Sequence, residues 1–310
     1  MQPGRSCPLA YRYTPAAVGA ARAFDCETLY VIGGLYGNEY ALAAILALAA
    51  AERGPVTLAF NGDFHWFDRD PAVFARIDAE VLRHRAYRGN VETELAGDGA
   101  AGCGCAYPAS VSDAEVERSN AVMATLRTTA HECAAASPLA ALPMYGVARV
   151  GDLRVAIVHG DLNSLAGWSY AHEALGDGTA FAADCDAAQV RIVASSHTCL
   201  PVALDVMAAA GRCVLMNNGA AGMPNFADTD YGLVTRIATT PASGALYGTQ
   251  LDGVHVDAVP VRYDTAVWRE RFLAQWPAGS AAYDSYYRRI VSGPRHRLRD
   301  AMRWRTPVGN

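Results

Sequence analysis

Apolar and polar positions along this chain fall into two regimes. "TLYVIGG", from Thr28 to Gly34, is an unbroken apolar run closed by glycines, which predicts a buried strand. "NEYALAAILALAAAER" follows with helical composition and stops before Gly54-Pro55. "VTLAFNGD" predicts a second strand, residues 71–83 a second helix, and "HRAYRGN" a short third strand. Strand and helix alternating in this way predict a parallel α/β core. Residues 97–108 read as a glycine-rich loop. Ser112-x-x-Glu115 then fits a capping box opening a helix that runs to about residue 135. Beyond Pro143 the regime changes. "YGVARVGDLRVAIVHGD" predicts a hairpin turning at Gly151-Asp152. The strands "VRIVASSH", "CVLMNNG", "YGLVTRIAT", "ALYGTQLD" and "VHVDAVPVRY" follow with little helix between them. Two packed sheets with helices outside accommodate both regimes. From about Tyr263 the chain becomes helical and arginine-rich. The expected organisation is an N-terminal arm (1–24), a central unit (25–263) and a C-terminal extension (264–310).

Composition narrows the function classes. The 310-residue chain is 52% apolar and 18% charged, as in ordinary globular proteins. Its longest apolar run is too short and too alanine-rich to span a bilayer, and no secretory h-region is visible near the N-terminus. Eight scattered cysteines lack the density of a disulfide scaffold, which favours a reducing cytoplasm. All 26 basic residues are arginines, so lysine Schiff-base chemistry and a P-loop lysine are excluded. With a net charge of −5, nucleic acid is not an expected partner. The tail from Arg288 to Arg305 carries seven arginines and His296, and reads as a solvated helical face.

Four polar motifs stand at the ends of predicted strands: "NGD" with Asp63, "RGN" with Asn90, "VHGD" with His159 and "SSHTC" with His197. In open α/β sheets ligands bind beyond the carboxyl ends of strands, so these motifs can converge. Singly each has a bland reading, a turn or a structural histidine. Together, two imidazoles, a carboxylate and an amide form a mixed N/O set suited to Mn²⁺, Fe²⁺ or Zn²⁺. Cys103-x-Cys105 is weak as a metal motif by itself. Trp168 and Tyr170 either stack on a substrate or pack on their own protein.

The ordered series GD, GN, HG and SHT resembles that of the calcineurin-like metallophosphoesterases, as does the later turn "NNGAAGMP". The resemblance spans about residues 29–263. It implies a four-layer α/β/β/α sandwich of two mixed β-sheets flanked by helices. "VIGGLYGNEYAL" is similar to the family's first turn, but Gly34 and Tyr36 stand where its aspartate and histidine would be. Cys199 stands where the last histidine would be. By the resemblance, one metal site therefore keeps only its bridging Asp63. The other keeps Asp63, Asn90, His159 and His197 complete, implying one divalent ion.

Tyr36 and Cys199 either rebuild the damaged site as phenolate and thiolate or merely line a pocket. The family's leaving-group histidine is Val91 here, and Glu92, the acidic residue kept beside it, is a candidate catalytic residue. His65 could approach the same cavity as a catalytic acid, or could simply be hydrogen-bonded beneath Trp66 and Phe67. Arg88 is the nearest arginine in sequence that could meet phosphoryl charge. The expected activity is hydrolysis of a phosphate ester, mono- or diester, of a small metabolite, with water on the metal as nucleophile. The alternatives are a non-hydrolytic metal-binding relative and a metalloenzyme of redox chemistry using Cys199 or Tyr36.

Overall fold

The structure, a computed structural model, describes residues 2–304. In chain order the strands are β1 (Phe24–Asp25), β2 (Thr28–Ile32), β3 (Val56–Asn61), β4 (Arg85–Tyr87), β5 (Tyr145–Val150), β6 (Leu153–Val158), β7 (Ile192–Ser195), β8 (Val202–Ala208), β9 (Gly211–Asn217), β10 (Gly232–Ala238), β11 (Tyr247–Leu251), β12 (Val254–Val261) and β13 (Met302–Trp304). The helices are α1 (Pro15–Ala20), α2 (Glu39–Ala50), α3 (Pro71–Val81), α4 (Asn90–Ala96), α5 (Asp113–Glu132), α6 (Ala136–Ala140), α7 (Thr179–Ala188), α8 (Thr265–Gln275), α9 (Ala281–Ser292) and α10 (Leu298–Ala301).

The strands form two mixed sheets, one in the order β11-β12-β10-β2-β3-β4 and one in the order β1-β5-β6-β7-β9-β8-β13. The runs β2-β3-β4 and β6-β7-β9 are parallel, so their carboxyl ends project the same way within each sheet. Strand alternation explains the layering. In β2, Leu29 and Val31 face the second sheet, where they meet Val155, Ile157 and Ala194. Tyr30 and Ile32 face the other way, onto apolar residues of α2, α3, α5, α8 and α9. The outer face of the second sheet is covered by α1 and α7 through Val18, Phe181 and Cys185. A strand buried on both faces must be apolar throughout, which is why "LYVI" shows no alternation. The result is the four-layer sandwich of two mixed sheets between helices.

Polar groups join the sheets at the end where the parallel strands finish. Asn61, the last residue of β3, donates from Nδ2 to the Val158 carbonyl of β6 at 2.7 Å. Asn218, just beyond β9, donates to the carbonyls of Gly33 and Leu233 at 3.0 and 2.8 Å. These bonds cross the apolar core only at its rim, where backbone carbonyls are free to accept.

Several sequence expectations need correction. The helix opened by Ser112, whose hydroxyl accepts from Glu115 N–H at 3.3 Å, ends at Glu132. The little helix expected after the hairpin is α7, between β6 and β7, whose "GTAFAADCDAA" has no polar–apolar period strong enough to place it. Strand β8 also went unrecognised, in "PVALDVMA". The tail is not one helical face: α9 ends at Ser292, followed by α10 and by β13, which pairs with β8. Arg288, Arg295, Arg297 and Arg299 are exposed, but Arg289 and Arg303 turn inward to carbonyls. Arg305 lies outside the described residues. Among the described residues no helix is long and apolar enough to cross a membrane. All eight cysteines are unpaired.

Ile157, fully buried between the sheets, reports on this core. Ile157→Ala is expected to cost about 2–5 kcal/mol, read as a lower urea midpoint at unchanged slope.

Candidate metal centre

The four motif residues meet at the shared end of the parallel strands. His159 follows β6, and its Nε2 lies 3.3 Å from Asp63 Oδ1 beyond β3 and 3.1 Å from Asn90 Oδ1 beyond β4. His197, beyond β7, brings Nδ1 to within 3.1 Å of the same nitrogen. Ligand atoms of Asp63, His159 and His197 all lie within 4.8 Å of one another. All four residues are buried.

Backbone carbonyls fix which atoms face inward. His159 Nδ1 is 2.9 Å from Asn61 O, and His197 Nε2 is 3.0 Å from Cys105 O. A carbonyl only accepts, so each of these nitrogens carries a proton and the other nitrogen of each ring presents a lone pair. The Asn90 amide donates to Cys103 O at 2.9 Å, leaving Oδ1 to face the centre. Two nitrogen lone pairs, an amide oxygen and a carboxylate oxygen thus converge in a buried space. A divalent cation fits this donor set, and the carbonyl partners are the outer-shell contacts that orient imidazole ligands. A proton is the competing occupant. Burial lowers the pKa of both imidazoles. For His159 the Asp63 carboxylate overrides this and raises the pKa above the ordinary value. For His197 burial and His159 together depress it to about 3.

Close backbone contact makes the convergence possible. Gly62 has φ +80°, and a Cβ there would lie 2.6 Å from Gly89 and from His159 Nδ1. A Cβ on Gly89 would meet Asp63 Oδ1 at 2.5 Å. Asn90 opens α4 rather than occupying a left-handed turn position.

Glu92 sits one turn into α4 and is fully buried. Its Oε2 accepts from the N–H groups of Gly89 and Asp63, each at 2.8 Å; its Oε1 accepts from Phe64 at 2.9 Å and His65 at 3.4 Å. Burial and the nearby Asp63 push its pKa up, against the pull of these N–H groups. The structure thus places Glu92 as the brace that shapes the Asp63 turn. His65 is enclosed elsewhere. Its Nδ1 contacts Asp68 at 2.6 Å, its Nε2 contacts Asp78 at 3.4 Å, and its ring stacks on Phe74 at 3.7 Å. Burial would depress its pKa, but Asp68 and Asp78 hold it at about 9. Arg88 reaches the Ala140 carbonyl and does not line the centre.

A cavity of about 30 Å³ opens over Asp63, Asn90 and His197. Rings from four separate segments wall it: Trp66, Tyr107, Trp168 and Tyr286 of α9. Tyr36 and Cys199 close the remaining side. The phenol oxygen and the thiol sulfur are 2.9 Å apart. Burial raises the pKa of both, so both stay protonated near neutrality, and Cys199 is not part of the Asp63–His159–His197 cluster. Tyr36, Asp63 and Cys199 have φ of 54°, 54° and 60°, left-handed values rare for residues other than glycine.

Arg289 of α9 donates to the Cys199 carbonyl at 2.6 Å and to the Pro224 carbonyl at 3.1 Å, tying the C-terminal extension to the cavity wall. Tyr170 is a core residue whose hydroxyl accepts from Leu162 N–H at 3.3 Å. The sequence reading missed the carbonyls of Asn61 and Cys105, which no side-chain motif can announce. It also missed Tyr107, Tyr286 and Arg289, whose relevance depends on where one loop and helix α9 come to rest. Cys103 and Cys105 serve through their carbonyls, while their thiols stay buried.

The sequence matches no family profile and no curated protein. Solved structures do match. A hypothetical protein from Pyrococcus horikoshii OT3 superposes with TM-score 0.57 at 17% identity, covering 86% of this chain and 99% of that one. A metallophosphoesterase from Sphaerobacter thermophilus gives TM-score 0.52 at 17% identity, covering 86% of this chain and 100% of that one. The fold is that of the metallophosphoesterases, as the motif series implied.

Two outcomes follow from the braces. Glu92→Gln replaces two accepting oxygens with one, and is expected to destabilise the protein by on the order of 3 kcal/mol, measured by urea unfolding. His65 has a folded pKa above its unfolded value. Its contribution, on the order of 3 kcal/mol, is therefore complete below about pH 6.5 and lost as pH rises through about 9. His65→Phe is expected to flatten that loss in a melting series from pH 6 to 10.

Proposed function

We propose that this protein is a metal-dependent hydrolase of phosphate esters that works with a single divalent ion. The observation that carries this reading is the convergence of Asp63 Oδ1, Asn90 Oδ1 and His197 Nδ1 on His159 Nε2, with both ring tautomers set by carbonyls. The likeness to a metallophosphoesterase at the level of the fold supports it. A cation at this point would supply Lewis acidity, lowering the pKa of a coordinated water and polarising a phosphoryl oxygen.

The chain's own residues do the rest. Asp63, Asn90, His159 and His197 bind the cation, and Asn61 O and Cys105 O hold the two imidazoles in line. The four aromatic walls exclude bulk water, which strengthens every charge interaction inside. Tyr36, kept protonated by burial, stands in the cavity as a neutral hydroxyl that can turn from Cys199 Sγ to donate to a phosphoryl or leaving-group oxygen. Among the described residues no arginine lines the cavity, so charge stabilisation falls to the cation and to this hydroxyl.

The smallness of the cavity favours one second reading, a non-hydrolytic metal-binding relative. The two readings separate by measurement. About one Mn²⁺, Fe²⁺ or Zn²⁺ per chain is expected, with turnover of a phosphate mono- or diester. His197→Ala is expected to lose both metal and turnover; hydrolysis retained in that variant would sink the hydrolase reading. Full metal occupancy without turnover of any ester leaves the binding relative. Metal occupancy should also fall on acidification, because a proton and the cation compete for His159 Nε2 and the Asp63 carboxylate favours the proton.

A further inference from the structure

The cavity over the centre is small, about 30 Å³, room for about two waters. It has room for the atoms around a cation but none for the organic part of an ester. That part must lie beyond the cavity wall. A second cavity of about 530 Å³ shares Trp168 with the first, and its Pro108 and Thr198 adjoin Tyr107 and His197 in the chain.

Trp168 is the partition. Its indole lies 5.2 Å from the His197 ring, and its Nε1 donates to Cys105 O at 2.9 Å, the same carbonyl that orients His197. The outer groove takes apolar surface from Pro108, Val111, Ala171 and Leu200. Its polar groups are Ser110, Thr198, His172 and the exposed Glu173. Among the described residues no arginine lines either cavity, and Arg303 nearby is engaged with the carbonyls of His172 and Gly176. A second anionic group on a substrate would face Glu173 and, among the described residues, no arginine.

We propose that the outer groove is the leaving-group subsite, and that it selects esters of uncharged aromatic or apolar alcohols, with Trp168 as the specificity-determining ring. This rests on the phosphate-ester reading above. In the reaction, the oxygen of water bonds to phosphorus and the bond from phosphorus to the alcohol oxygen breaks. That electron pair stays on the alcohol oxygen, which leaves protonated or as a stabilised aryloxide. A flat leaving group stacks on the indole and removes apolar surface from water.

The test is calorimetric titration of metal-loaded protein with methylphosphonate, phenylphosphonate and 4-carboxyphenylphosphonate, none of which can be hydrolysed. Phenylphosphonate is expected to bind about tenfold more tightly than methylphosphonate, as burial of one ring implies. The added carboxylate should remove most of that gain. Ala174→Arg, at an exposed position on the groove, should restore binding of the carboxylated compound at least about fivefold and leave methylphosphonate unchanged. Equal binding of methyl- and phenylphosphonate, or no response to Ala174→Arg, overturns the subsite while leaving the metal reading intact. Failure of all three to bind metal-loaded protein removes the phosphate-ester reading and the subsite together.

Discussion

Lone pairs that face one another inside a protein repel unless something positive stands between them, and around His159 Nε2 four such groups are held together by force of the fold. Asn61 and Cys105 take the outward protons of the two imidazoles, and Cys103 takes the Asn90 amide. None of these acceptors is a side chain. The chemistry of the centre is therefore set by where the backbone ends its strands, and each ligand is fixed in orientation before any ion arrives. Preorganisation of this kind spares a site the entropy of assembling its ligands.

The same end of the molecule must also hold two sheets in register. Asn61 serves both purposes, stapling β3 to β6 through its amide and orienting His159 through its carbonyl. Glu92 does the equivalent for the turn carrying Asp63, gathering N–H groups that would otherwise point at nothing. On the flank opposite the four converging groups, Tyr36 and Cys199 form a neutral, hydrogen-bonded wall. The centre is accordingly one-sided, with ligands on one flank and rings and a phenol on the other.

Much of this was legible in the sequence, for identifiable reasons. The central strands are buried on both faces, so "LYVI" and "VTLAF" stood out as apolar runs, and the polar motifs at the ends of β3, β4, β6 and β7 marked residues that the fold brings together. Helix α7 and strand β8 were not legible, since alanine-rich or uniformly apolar segments carry little period. His65 looked catalytic because it lies two residues from Asp63. A turn of φ 54° at Asp63 sends the chain away, however, and the imidazole ends between Asp68 and Asp78. The tail's arginines looked uniform in sequence but divide in space between solvent and buried carbonyls. That division depends on the course of α9 and β13, which no local pattern encodes.

Three residues of the cavity, Tyr36, Asp63 and Cys199, hold backbone conformations in which glycine would be more comfortable, a strain of roughly 1–3 kcal/mol each. The fold carries that load around the candidate centre. Heat resistance and competence are therefore opposed at these positions. Glycines there would relax the chain and leave a firmer sandwich with a blank cavity. The strain measures, in free energy, how far this molecule stands from being merely a stable object.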